Sequence, residues 1–251
     1  MKAPDAVRRP QFWAEDGPVF FVQQWRHVSP QLFVPYSGYF LVIPRIFAWA
    51  AKLLPVMYAP LIYVSSAILM GAAALASLRE MEKMGMPFVL TLGIFALTPT
   101  NGETLAILTN IHWLLQFYLL AYLVRFALAP GPLHRTKGTI VMLAVSLTGP
   151  FAIFASATLF ALVVMRYFQA SAAERSVRET MRTVGTGEAA ALFLGGTVQA
   201  VTLALVAEPQ TQNSSLGLLD GISSELDALQ VHVLGARVAS DNLFLGVFLG
   251  L

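Results

Sequence analysis

The sequence predicts an all-α, polytopic helical membrane protein, and three observations carry that prediction. Hydrophobic residues fill 57% of the 251 positions, against about 45–50% in soluble domains. Charged residues make up only 12%, and the mean hydropathy is +0.67. Apolar runs of bilayer-crossing length, about 20 residues, recur along the chain. They are continuous and rich in Leu, Ala, Phe and Val, without the alternation of a membrane barrel, so the spans are helices. The chain has no cysteine, which excludes a disulfide framework and thiolate metal sites. Its net charge of +2 is small and spread between the spans, which argues against a nucleic-acid partner.

The elements follow in order. Residues 1–35 are polar and aromatic, with no secretory signal pattern. Tyr39 to Pro55 reads YFLVIPRIFAWAAKLLP, in which Arg45 and Lys52 interrupt the apolar residues. That pattern suits a helix lying in the membrane interface. Residues 1–55 are thus expected to form an extracytoplasmic acidic loop and an interfacial helix.

A transmembrane bundle is expected over 56–207. Its spans are Val56 to Leu78, Thr104 to Leu128, Phe151 to Met165 and Ala189 to Ala207, with two shorter runs, Pro87 to Leu97 and Thr139 to Thr148. Ten helical residues rise about 15 Å, half a bilayer core. Such a helix is tolerated only where its open end faces protein or a water-filled cavity. The runs stop at TPTNGE and at Gly149-Pro150, which predicts short helices paired with longer ones; a kinked continuous helix is the alternative at Gly149-Pro150. Residues 208–242 follow as a polar segment, in which Ile222, Leu226, Leu229 and Val233 mark an amphipathic helix. Residues 243–251 begin a further span that stops short, so the chain reads as a piece of a longer protein or as one with a late start.

Basic residues set the expected orientation. With both short turns on one side, the opposite loops hold Arg79, Lys83, Arg135, Lys137, Arg166, Arg175, Arg178 and Arg182. That side is then cytoplasmic, and Glu15, Asp16, Asn101 and Glu103 face the extracytoplasmic side of a bacterial inner membrane.

The acidic pair lies in RRPQFWAEDGPVFF, Arg8 to Phe21. Outside the cytoplasm there is no nucleotide supply, so a transferase there needs a lipid-linked donor. A carboxylate at the membrane surface can deprotonate an acceptor hydroxyl or help hold a divalent cation, the one cofactor this pattern allows. Arg8, Arg9, Arg26 and Arg45 are candidates for a phosphate leaving group, Arg being preferred for bidentate contacts. Trp13, Trp25, Tyr36 and Tyr39 suit both an interface and stacking on sugar rings. The structural alternative is that Glu15 and Asp16 cap a surface helix or pair with Arg8 and Arg9.

Four stretches together, PQFWAEDGPVFF, YSGYFLVIPR, NGETLAILTNIHWLL and LTGPFAIFA, resemble a group of bacterial polytopic proteins similar to the GT-C superfamily of membrane glycosyltransferases. The resemblance covers roughly residues 8–165. It implies a GT-C-like helical fold, a polyprenyl-phosphate-linked sugar as donor and a glycan or lipid as acceptor. Carried over, Asp16 would be the catalytic base and Glu15 its companion or a metal ligand. One departure is that such proteins have a transmembrane helix before the acidic loop, and here the chain starts only about fifteen residues upstream.

Other polar residues complete the expected site. Asn110 and His112 sit within a span, where polar side chains are costly unless they face a cavity or partners. They are expected to line a substrate cavity, with helix-to-helix hydrogen bonding as the alternative. Glu103 is placed to offset a helix dipole or to join the site with Asn101. Arg125 is expected to snorkel to the cytoplasmic interface, and Gln116 and Gln199 to be packing contacts. There is no Gly-rich phosphate loop, nucleophile elbow or dinucleotide fingerprint. The expected function is sugar transfer from a lipid-phosphate donor to an extracytoplasmic acceptor; the alternative is a non-enzymatic transporter or flippase of lipid-linked glycans.

Overall fold

The computed structural model describes residues 8–97, 106–128, 136–169 and 186–206. Among these, every regular element is helical. The expectations for Asn101, Glu103 and 208–251 lie outside the described residues.

A 3-10 turn, Ala14–Asp16, and a π turn, Gly17–Phe21, lead into the short helix α1, Val22–Arg26. Helix α2 is Val42–Lys52 and α3 is Ala59–Ser77, the latter between 3-10 turns Val56–Tyr58 and Leu78–Met84. Helix α4 is Phe88–Leu97. Helix α5, His112–Leu128, begins with a 3-10 turn, Thr109–Ile111. Then come α6, Thr136–Ser146, α7, Phe151–Gln169, and α8, Thr186–Val206. Four helical stretches among the described residues are long and apolar enough to cross a membrane: Val56–Met84, Thr109–Leu128, Phe151–Phe168 and Gly187–Val206.

Side-chain contacts fix the helix directions. Gly71 of α3 packs on Leu114, and Ser77 further along reaches the Phe117 carbonyl at 3.5 Å, so α3 and α5 run parallel. His112 meets Phe151 at one end of α5, and Arg166 caps the Phe126 and Ala127 carbonyls at the other, so α7 is parallel to both. Helix α8 opposes them: Ser156 donates to the Leu192 carbonyl at 2.9 Å, while Gly196 faces Ala152. Helix α6 follows α8, with Gly138 against Glu188 and Ser146 donating to the Ala191 carbonyl at 3.2 Å.

Helices α6 and α7 therefore run in opposite directions, and the chain turns back between them instead of bending through a kink. Gly149 makes the turn with φ of +94°, a left-handed conformation that glycine adopts at little cost. The parallel course of α3 and α5 also requires the chain to return between them, and the ten-residue α4 lies on that return.

Small residues let these helices approach closely. A Cβ on Gly195 or Gly196 would come within 2.2 Å of the hydroxyls of Ser146 or Ser156. Such close contact is how helices associate in lipid, where burying apolar surface gives no drive. One core cluster joins α5, α6, α7 and α8 through Leu115, Met142, Leu159 and Leu192. A second joins the first sixty residues to α3 through Phe20, Leu41, Ala48, Tyr63 and Leu108.

Arg125, in the last turn of α5, has a protein partner. It pairs with Glu188 of α8 at 2.5 Å and lies over the Tyr122 ring, with side-chain exposures of 27% for Arg125 and 6% for Glu188. That carboxylate is seated against Gly138.

Candidate functional site

The acidic pair sits where α3 and α5 begin. A helix start leaves backbone N–H groups without intrahelical acceptors. At α5 that deficit is met from 92 residues upstream: Asp16 Oδ2 accepts from the Leu108 N–H at 3.2 Å and Oδ1 from the Thr109 N–H at 2.8 Å. The Thr109 hydroxyl adds a third bond to Oδ1 at 2.6 Å. Asp16 is 3% exposed. Burial raises its carboxyl above the usual carboxylate value, while the Thr109 and Leu108 bonds pull the other way and the neighbouring Glu15 charge adds to the rise. The structural alternative for this residue, a helix cap, is therefore present, but the helix is α5 and not a surface helix.

Glu15 is only half-buried. Its charge bears on both Tyr36 and Tyr39, whose hydroxyls are shifted upward, chiefly by burial and in part by that carboxylate. Those tyrosines bracket a tight turn in which each backbone bonds the other, at 2.9 and 3.2 Å, around Ser37 and Gly38 at positive φ.

The chain after that turn docks on the reversal between α6 and α7. The Val42 N–H donates to the Leu147 carbonyl at 3.2 Å, and the Ile43 N–H to Thr148 Oγ1 at 3.0 Å, which satisfies the first donors of α2. The Gly149 N–H returns a bond to the Phe40 carbonyl at 2.8 Å. Gln199 of α8 closes the junction, bonding both the N–H and the carbonyl of Phe40.

Arg45 is fully buried, beneath Phe20, with its guanidinium 4.7 Å from the ring centroid. Nη1 donates to Gln23 Oε1 at 2.8 Å, while Nε and Nη2 have no partner among the described residues. Desolvation lowers its pKa from the usual guanidinium value. Tyr63 interacts electrostatically with both Arg45 and Asp16, and its hydroxyl is likewise buried, with no partner among the described residues.

His112 is buried against Gly149, among Tyr39, Trp113 and Phe151. Its Nδ1 lies 3.0 Å from the Thr109 carbonyl; a carbonyl only accepts, so Nδ1 carries the proton.

The candidate residues thus fall into groups. Asp16, Glu15 and, through Tyr63, Arg45 gather at one end of the bundle, with His112 one turn beyond Thr109. Asn110 is half-buried beside them in the chain. Arg8, Arg9, Arg26 and Trp13 are exposed. Thr109, Tyr63, Gln23 and Gln199 complete the arrangement; only Gln199 is marked by its sequence, as a polar residue in an apolar run. For a divalent cation the fit is poor: among the described residues no three His, Asp or Glu side chains gather at one point. The groups facing Asp16 are N–H and O–H donors, which a cation would have to displace. No protein-family model, curated protein or solved structure matches this chain.

Proposed function

We propose that the chain is a membrane glycosyltransferase that moves a sugar from a lipid-phosphate-linked donor to an extracytoplasmic acceptor. The observation that carries this reading is the division of labour in the acidic pair. Asp16 is fastened to the start of α5 by three hydrogen bonds, which leaves the adjoining Glu15 carboxylate half-exposed beside Tyr36 and Tyr39. Here Glu15 is the base and Asp16 the residue that positions it, the reverse of the roles the resemblance implies. Glu15 takes the proton of the acceptor hydroxyl as that oxygen bonds to the sugar carbon, and the bond from that carbon to the donor phosphate breaks.

Membranes carrying the protein, supplied with labelled polyprenyl-phosphate sugars, should release polyprenyl phosphate above the level of membranes lacking it. Glu15→Gln should slow release by ~10²–10⁴-fold, the range for a lost general base. Release that is unchanged by Glu15→Gln at matched expression overturns the assignment. Movement of the intact lipid-linked sugar across the membrane, without release, would favour the transporter alternative.

A further inference from the structure

We propose that the free edge of Arg45, together with the Tyr63 hydroxyl, is a buried binding site for a phosphate group, closed by Phe20. The argument starts from donors. A guanidinium offers five N–H groups in a rigid plane. In Arg45 the Nη1 end is taken by Gln23 and one face by Phe20. What remains are Nε and Nη2, which share one edge of the plane and form the fork that accepts two oxygens of a single oxyanion side by side.

Tyr63 supplies a further donor. Its hydroxyl is buried, unpartnered and close enough to couple electrostatically to Arg45. Buried donors without an acceptor are rare, because each loses its water without recompense. The two on Arg45, which lies over Phe20, and the one on Tyr63, which shares a packed cluster with Phe20, fit a ligand with three terminal oxygens and negative charge. Asp16 does not fill that role: both of its oxygens are engaged at the start of α5.

Entry requires Phe20 to move. It lies on the π turn Gly17–Phe21, directly after Asp16, and is itself fully buried. Single π turns interrupt regular helices and occur often at functional positions. Binding is thereby linked to a shift of the segment that carries the acidic pair. The inference deepens the proposed function, resting on it for a lipid-borne phosphate, but it is tested by binding and not by turnover, so the two can fail separately.

The test uses the whole chain purified in detergent and also placed in phosphatidylcholine nanodiscs. Thermal unfolding is followed against inorganic phosphate, with chloride at matched ionic strength as reference. In the second arm the nanodiscs carry polyprenyl phosphate or none. A saturable rise in Tm with inorganic phosphate supports a site open to a soluble ion; a rise only with polyprenyl phosphate supports a lipid-borne group. Arg45→Lys keeps the charge but loses the fork, and should weaken binding by about tenfold or more. Tyr63→Phe should weaken it less and leaves the fold intact. No rise in either arm overturns the proposal. A rise of equal size in wild type and Arg45→Lys also overturns it, because phosphate then acts only by general exclusion from the protein surface.

Discussion

Gln199 of α8 exchanges two hydrogen bonds with the backbone of Phe40: its Oε1 accepts from the N–H at 2.8 Å and its Nε2 donates to the carbonyl at 3.1 Å. The carbonyl has a second partner in the Gly149 N–H, whereas among the described residues the N–H bonds to Gln199 alone. Gln199→Leu should therefore orphan one buried donor and lower stability in detergent by ~1–3 kcal/mol. A loss under a few tenths would mean that water replaces the amide.

Asp16 predicts a pH dependence. The unfolded chain titrates its aspartates near about 3.9, and burial lifts Asp16 above that value in the folded state. Between the two values the folded state holds more protons, so stability falls as pH rises through this window and returns on acidification. Asp16→Asn cannot titrate. The stability of wild type relative to Asp16→Asn should grow as the pH is lowered towards 4. Parallel profiles for the two proteins would show that the carboxyl is not shifted upward.

At Gly149 two costs meet. A side chain there would hold a left-handed φ of +94°, and its Cβ would fall 2.8 Å from the Cβ of His112. Gly149→Ala should cost ~2 kcal/mol or more, since the left-handed conformation alone costs about 1–3. Removing the imidazole with His112→Ala should not rescue it, because the clash is with Cβ. Rescue by the double variant would place the strain in the ring contact instead.

The ion pair Arg125–Glu188 gives a fourth expectation. Breaking it by Glu188→Leu leaves a guanidinium partly buried and should cost about 3 kcal/mol, whereas replacing both partners by leucine should recover part of that loss. Equal losses in the single and double variants would show that Arg125 finds another partner.

Orientation is testable because the chain contains no cysteine. With Arg79, Lys83, Arg125 and Arg166 at the end where α3, α5 and α7 finish, that end is expected to be cytoplasmic. A thiol reagent that cannot cross membranes should label Val28→Cys in intact cells, Val28 being 94% exposed. Lys83→Cys should react only after permeabilisation. The opposite pattern would invert the molecule.

The helices were legible in the sequence because hydrocarbon run length alone sets a membrane span. Thr104 to Leu128 and Ala189 to Ala207 differ from the observed Thr109–Leu128 and Gly187–Val206 only at their ends. The ends are where helix caps decide, and those caps come from afar. Nothing around Thr109 announces that Asp16 will bond it, because a contact across 93 residues leaves no period in the sequence. The same holds for Arg45. Its charge marked it as a candidate contact for phosphate, but its burial, with Phe20 over it and Gln23 bonded to it, had no local sign. The ion pair of Arg125 was missed for a related reason: its partner Glu188 lies 63 residues further on.

The junction at Phe40 also sets an order of assembly. Phe40 and Gln199 are 159 residues apart, and at synthesis rates of about 5–20 residues per second the ribosome takes about 8 to 32 s to travel between them. The acceptors for the first N–H groups of α2, Leu147 and Thr148, also come late, 105 residues after Val42 and Ile43. The segment made first is therefore finished last. Its last contacts, those of Phe40 with Gly149 and Gln199, form only after the helices that carry those partners have been made.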